Sequence, residues 1–148
     1  MKIRGYISSR RINGESIPQR VQNLVIRDRC QFLGHDYILS AAEYSQDESF
    51  FILEAILNEE DSSEALMFYS IQQLPYDDKT RLNLYIEILK KKKKIFFALE
   101  GSELNNYIDA KHIEEIWAVS KILPSCLNNN SWLETNSASK IFLNNEYK

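Results

Sequence analysis

Ser8-Ser9-Arg10-Arg11 sets two hydroxyls beside two guanidinium groups, directly after a short apolar run. Three kinds of chemistry suit such a set. A serine can attack phosphorus or carbon if a base takes its proton. Arginines can fork onto phosphate or carboxylate and hold an anion. The serines can also simply satisfy backbone groups in a polar turn. Three more segments carry reactive types: Glu43-Tyr44, Ser70 with Gln72 and Gln73, and Glu100 before Gly101. Glu43 and Glu100 are candidate general acids or bases; either could instead pair with an arginine. No histidine lies close in sequence to Ser8 or Ser9. An anion-binding turn is therefore expected there, not a covalent nucleophile. His35 and His112 have no cysteine or carboxylate cluster at ligand spacing, so no metal is expected. The four glycines form no phosphate loop, and no cofactor is expected.

These residues need elements to bring them together. Ile3 to Ser8 reads as a first strand. Ser16-Ile17-Pro18-Gln19 fits a capping box, with proline in the first turn. Val21, Leu24, Val25 and Phe32 follow at helical spacing, and Gly34 suits the C-cap. Tyr37 to Ala42 is a second apolar run. Ser49 to Leu57 is a helix with Phe50, Leu53 and Leu57 on one face. Ala65 to Tyr69 is apolar without alternation, as a strand covered on both faces should be. Asp77 and Asp78 open a third helix, where negative charge suits the dipole; Leu82, Tyr85, Ile86 and Leu89 form its stripe. Ile95 to Leu99 is a fourth strand. Ile113, Ile116 and Trp117 mark a last helix, ended by Pro124. Alternation of this kind predicts an α/β fold: an open, mainly parallel sheet of order 2-1-3-4 with helices on both faces. Residues 1–126 form the domain. The Asn- and Ser-rich stretch 127–148, with Trp132-Leu133 and Ile141-Phe142, is an appended segment expected to favour a homo-oligomer. In such sheets ligands bind beyond the carboxyl ends of the strands. All four polar clusters above fall there.

At 148 residues the chain is long enough for one domain with a real core. A formal net charge of -3 disfavours duplex DNA bound by the whole surface. Lys90 to Lys94 reads as a solvated helix end, where cations suit the dipole. Cys30 and Cys126 are expected as reduced thiols, and the cytoplasm as the compartment. No apolar run is long enough for a membrane helix, so no membrane partner is expected.

The order of "GYISSRR", "QNLVIRDRC", "EALMFYSIQQLP" and "KKIFFALEG" resembles the catalytic domain of serine recombinases over about residues 2–101. That family carries Tyr-x-Arg-Val-Ser at the end of its first strand. Aligned on Tyr6, its arginine falls on Ser8 and its nucleophilic serine on Arg10. Where it has Asp-Arg-Leu-x-Arg, this chain has Gln72-Gln73-Leu74-Pro75-Tyr76, without either arginine. The resemblance thus implies the fold without the cleavage chemistry. "RGYISSR", "IPQRVQNLVIRD", "LSAAEYS", "YSIQQLP" and "FALEG" also resemble the sporadic carbohydrate cluster family, through "EEIWAVSKILP". That second resemblance implies a role in bacterial surface-polysaccharide biosynthesis. It draws attention to Ser8, Ser9, Arg10, Gln22, Asn23, Glu43, Tyr44, Ser70 and Glu100. Asn23 and Arg27 lie one helical turn apart and could face one cleft. Tyr44 suits either sugar stacking or core packing.

The expectation is a protein of surface-carbohydrate biosynthesis that binds or acts on a sugar, sugar phosphate or nucleotide-sugar. Glu43 and Glu100 would be catalytic. Ser8, Ser9, Arg10, Gln22, Asn23, Arg27, Tyr44, Ser70 and Gln73 would bind the ligand. The alternatives are a non-catalytic module docking on a biosynthetic enzyme and a degenerate recombinase that still binds DNA.

Overall fold

The computed structural model describes residues 1–44, 49–59 and 63–128, with side chains to residue 123. Strand β1 (Lys2–Ser8) leads through a loop to α1 (Gln19–Phe32), then β2 (Asp36–Glu43) and α2 (Phe51–Asn58). Next come β3 (Ala65–Phe68), a 3-10 turn at Ile71–Gln73 and α3 (Asp78–Lys90). The chain continues through β4 (Lys94–Phe97), β5 (Ser102–Leu104) and α4 (Tyr107–Asn128). The sheet order is β2-β1-β3-β4-β5. The first four strands are parallel, in the expected order, and β5 adds an antiparallel edge. Ser102–Leu104 is too short to leave a periodic pattern.

Every residue of β3 is buried, which explains its unbroken apolar run: helices cover both faces. Successive strand residues point to opposite faces. Ile3 and Ile7 of β1, Ala65 and Met67 of β3 and Phe96 of β4 meet Ile26 and Cys30 of α1. On the other face the Tyr6 and Phe68 rings lie 4.6 Å apart, and those of Phe68 and Phe97 5.6 Å. Leu53, Ile56 and Leu57 of α2 and Leu84, Tyr85 and Ile88 of α3 are also buried.

The seam between β1 and β2 is irregular. Ile3 pairs with Tyr37 but Gly5 pairs with Ser40, so β2 carries one extra residue. Neighbouring Ile38 and Leu39 are consequently both exposed. A Cβ on Gly5 would lie 2.0 Å from Ser40 Oγ. Glycine here lets Ser40 reach under the strand to Asn23.

Helix ends explain where local reading succeeded and failed. Gly34, at φ 69°, ends α1 as expected; its N–H donates to Gln31 O and that of His35 to Cys30 O, closing a Schellman motif. Asp77 caps α3 by accepting from Thr80 N at 2.8 Å. The Ser16 capping box is absent. Pro18 occupies the N-cap with no side-chain bond. The preceding residues instead make a tight turn, with Ile12 and Glu15 exchanging backbone bonds of 2.8 and 3.0 Å around Asn13-Gly14. Both central residues have positive φ, so the Asn-Gly pair decided the local geometry. Leu82 and Ile86 of the expected α3 stripe are exposed, and Arg81 is 1 % exposed in their place. Its guanidinium donates to Pro75 O, Tyr76 O and Asp78 Oδ1, anchoring the turn before α3. Nor does Pro124 stop the last helix, for α4 runs through it to Asn128. Proline removes the N–H that would meet the Ser120 carbonyl and its ring crowds that carbonyl, yet the helix continues.

Two compact units are present, the first covering Met1–Ile113 and the second beginning at Glu114, within α4. The expectations for Trp132-Leu133 and Ile141-Phe142 lie outside the described residues. No helix among the described residues is long and apolar enough to cross a membrane, and no group of three or more potential metal ligands occurs among them.

Candidate functional site

The carboxyl ends of β1, β2 and β3 converge on one polar network. Ser8, wholly buried, sits at its centre. Ser8 N donates to Gln22 Oε1 at 3.1 Å, and Gln22 Nε2 returns a bond to Ser8 O at 2.7 Å. Gln22 Nε2 also donates to Ile17 O. From the other side Gln73 Nε2 donates to Ser8 Oγ at 3.2 Å and to Gln22 Oε1 at 3.1 Å. Gln73 Oε1 accepts from Tyr69 N and Ser70 N. Both glutamines thus use donor and acceptor ends in full, as buried amides must.

Arg10 extends the network. Its guanidinium donates to Ser49 O at 2.6 Å, to Tyr6 OH at 3.0 Å and to Gln73 O at 3.3 Å. It also lies 4.1 Å from the Phe50 ring centroid, at cation–π distance. The arginine therefore ties the end of β1 to the approach of α2 and to the 3-10 turn.

The two expected catalytic carboxylates are hydrogen-bonded within the same frame. Glu43, 2 % exposed, accepts from Ile52 N at 3.0 Å, Leu53 N at 3.1 Å and Tyr6 OH at 3.3 Å. It thereby satisfies free N–H groups at the start of α2, whose own N-cap Phe50 makes no side-chain bond. Burial pushes the Tyr6 hydroxyl far above the ordinary phenol range; Arg10 opposes that shift and Glu43 adds to it. Tyr6 stays neutral, donating to Glu43 and accepting from Arg10. Glu100 accepts from Ser70 Oγ at 2.7 Å and Ile71 N at 3.2 Å. Ser9 Oγ donates to Glu43 O at 3.3 Å.

Ser8, Ser9, Arg10, Gln22, Glu43, Ser70, Gln73 and Glu100 are therefore brought together. Three expected residues are not. Asn23 accepts from Ser40 Oγ at 2.5 Å and from Tyr37 OH at 3.3 Å. Arg27 lies over the Tyr37 ring at 5.7 Å. These two do share a face of α1, but it is the one against edge strand β2. Tyr44 is 75 % exposed, which removes the core-packing alternative. Sequence reasoning missed Tyr6, Phe50 and Arg81. A tyrosine inside an apolar strand is a usable signal, because its hydroxyl must find a partner when buried.

No protein-family model and no curated protein matches this chain. Solved structures similar to it include the following two. The N-terminal catalytic domain of TP901-1 integrase aligns at 13% identity with a TM-score of 0.57, over 83% of this chain and 98% of that one. A resolvase family site-specific recombinase from Streptococcus pneumoniae aligns at 6% identity with a TM-score of 0.59, over 89% and 97%. The fold is resolvase-like.

This corrects the functional expectation. The similar structures are an integrase domain and a site-specific recombinase, and the likeness to the carbohydrate cluster family has no counterpart among the matches. A surface-carbohydrate role, a sugar phosphate or nucleotide-sugar ligand and the expectation that DNA is an unlikely partner are all overturned. The physical reason is visible in the motifs that suggested them. "RGYISSR", "YSIQQLP" and "FALEG" supply Ser8, Arg10, Ser70, Gln73 and Glu100, which bond to one another and to the backbone.

Proposed function

We propose that this chain is a recombinase-type domain that serves DNA recombination by binding and not by cutting. The DNA setting comes from the two similar structures, whose names describe an integrase and a site-specific recombinase. The loss of cutting rests on one observation. Arg10 stands where the recombinase pattern has its serine, and its guanidinium is engaged by Tyr6, Ser49 and Gln73. Cleavage by a serine needs a hydroxyl that reaches the phosphodiester and cations that neutralise the transition state. Ser8 is enclosed and Gln73 carries no charge.

With a net charge of -3, phosphate contacts must be local. In the turn between α3 and β4, Lys91 Nζ bonds to Leu57 O and Asn58 Oδ1, and Lys93 Nζ to Ile56 O. These two cap the carboxyl end of α2. Lys90, Lys92 and Lys94 remain exposed and are the candidate phosphate contacts. The full chain should bind duplex DNA with a log–log salt slope of about -3, about one counterion released for each lysine–phosphate contact. Supercoiled plasmid should stay unnicked, and denaturing gels should show no covalent protein–DNA adduct. An adduct mapped to Ser8 or Ser9 would restore cleavage. Absence of duplex binding at low salt would remove the DNA role.

A further inference from the structure

A cleft of about 220 Å³ opens between α2 and α3, sharing Phe50 and Leu53 with the edge of the network described above. Phe50, Leu53, Pro75 and Leu84 give it an apolar lining, and Glu54, Thr80, Asn83 and Glu87 a polar one. Glu54 stands on α2 and Glu87 on α3, so each wall carries a carboxylate. Neither carboxylate, nor the Asn83 amide, has a side-chain partner among the described residues, and no lysine or arginine lines the cleft. The contrast with Glu43 and Glu100, whose oxygens are bonded within the fold, is direct.

We infer that this cleft docks an arginine side chain of a basic peptide segment on a partner protein. The volume is below the range of small-molecule pockets, about 300–1,000 Å³, but suits one long side chain. An apolar lining takes the alkyl stem, and carboxylates from two walls take a planar cation. Arginine fits better than lysine, because its planar fork can address two acceptors at once. An anionic partner such as the DNA backbone would be repelled here. The inference goes beyond the recombination reading and does not depend on it.

The test uses the full chain and a labelled twelve-residue peptide with a central arginine between leucines. Its control carries citrulline, which keeps the shape and removes the charge. Fluorescence anisotropy should show the arginine peptide binding at least tenfold more tightly than the control. The E54Q/E87Q double variant should lose about that tenfold difference, and N83W, which fills the cleft from an exposed position, should abolish binding. Amide shifts in an NMR titration should centre on Leu53 and Leu84. Equal binding of both peptides would make the occupant merely apolar and overturn the proposal. So would equal binding by wild type and E54Q/E87Q, shifts centred elsewhere, or no binding at millimolar peptide. A peptide result of either kind leaves the DNA assays above unchanged, so the two readings fail separately.

Discussion

Two polar regions of this molecule look alike in sequence and differ in physics. At the strand ends, Ser8, Gln22, Glu43, Gln73 and Glu100 are bonded to one another or to backbone groups. In the α2–α3 cleft, Glu54, Asn83 and Glu87 have no such partners among the described residues. A buried polar group without partners is costly, so the fold keeps only those it satisfies. An exposed group without partners costs nothing and is free to meet a ligand. Residue type alone points to the first region; partner accounting points to the second.

Stability measurements on variants can break this comparison. The largest loss is expected for Glu43→Ala. It strips acceptors from the α2 N-terminus and from Tyr6 OH, and should cost about 3 kcal/mol in urea denaturation, since each unsatisfied buried donor costs about 1–3 kcal/mol. A loss under about 1 kcal/mol would mean that water replaces the carboxylate and the corner is open.

Gln22→Leu and Gln73→Leu should each cost about 2 kcal/mol, by leaving the other amide and Ser8 underbonded. Because the two glutamines bond to each other, the double variant should lose at least about 0.5 kcal/mol less than the sum. Strict additivity would show that they act independently.

Smaller still is the effect of Asp77. Its hydrogen bonds from Thr80 hold its carboxyl below the ordinary value of 3.8. A lowered folded-state value means that the contribution is full above the unfolded value and fades as pH falls through the folded one. Asp77→Asn should therefore cost a small amount of stability at neutral pH, and its difference from wild type should shrink as pH falls below 3.8. An unaltered acid limb would dismiss the cap's titration.

The smallest change is expected in the cleft. Glu54→Gln and Glu87→Gln should leave the midpoint within about 0.5 kcal/mol of wild type, as exposed substitutions without partners do. A larger loss would show that these carboxylates are structural, and the contrast between the regions would collapse.

Residue pattern was enough to read the order of the four parallel strands, the C-cap at Gly34 and the helix start at Asp77. Those features rest on local rules: unalternating apolar runs, positive φ at glycine, a carboxylate accepting from the first turn. It also determined the absence of the recombinase pattern's serine and arginines, because residue identity is not negotiable in folding. Tertiary structure alone decided what the remaining polar residues do. Whether Glu43 is a base or a helix cap depends on Ile52 and Leu53 lying beside it, contacts made across the chain. Whether Arg10 holds a ligand or its own fold depends on Tyr6, Ser49 and Gln73 arriving from three elements. The bulge in β2 and the burial of Arg81 escaped local reading for the same reason. Periodicity reports which face a residue occupies. It carries no record of which distant partner completes a hydrogen bond, and that partner separates a structural polar group from a functional one.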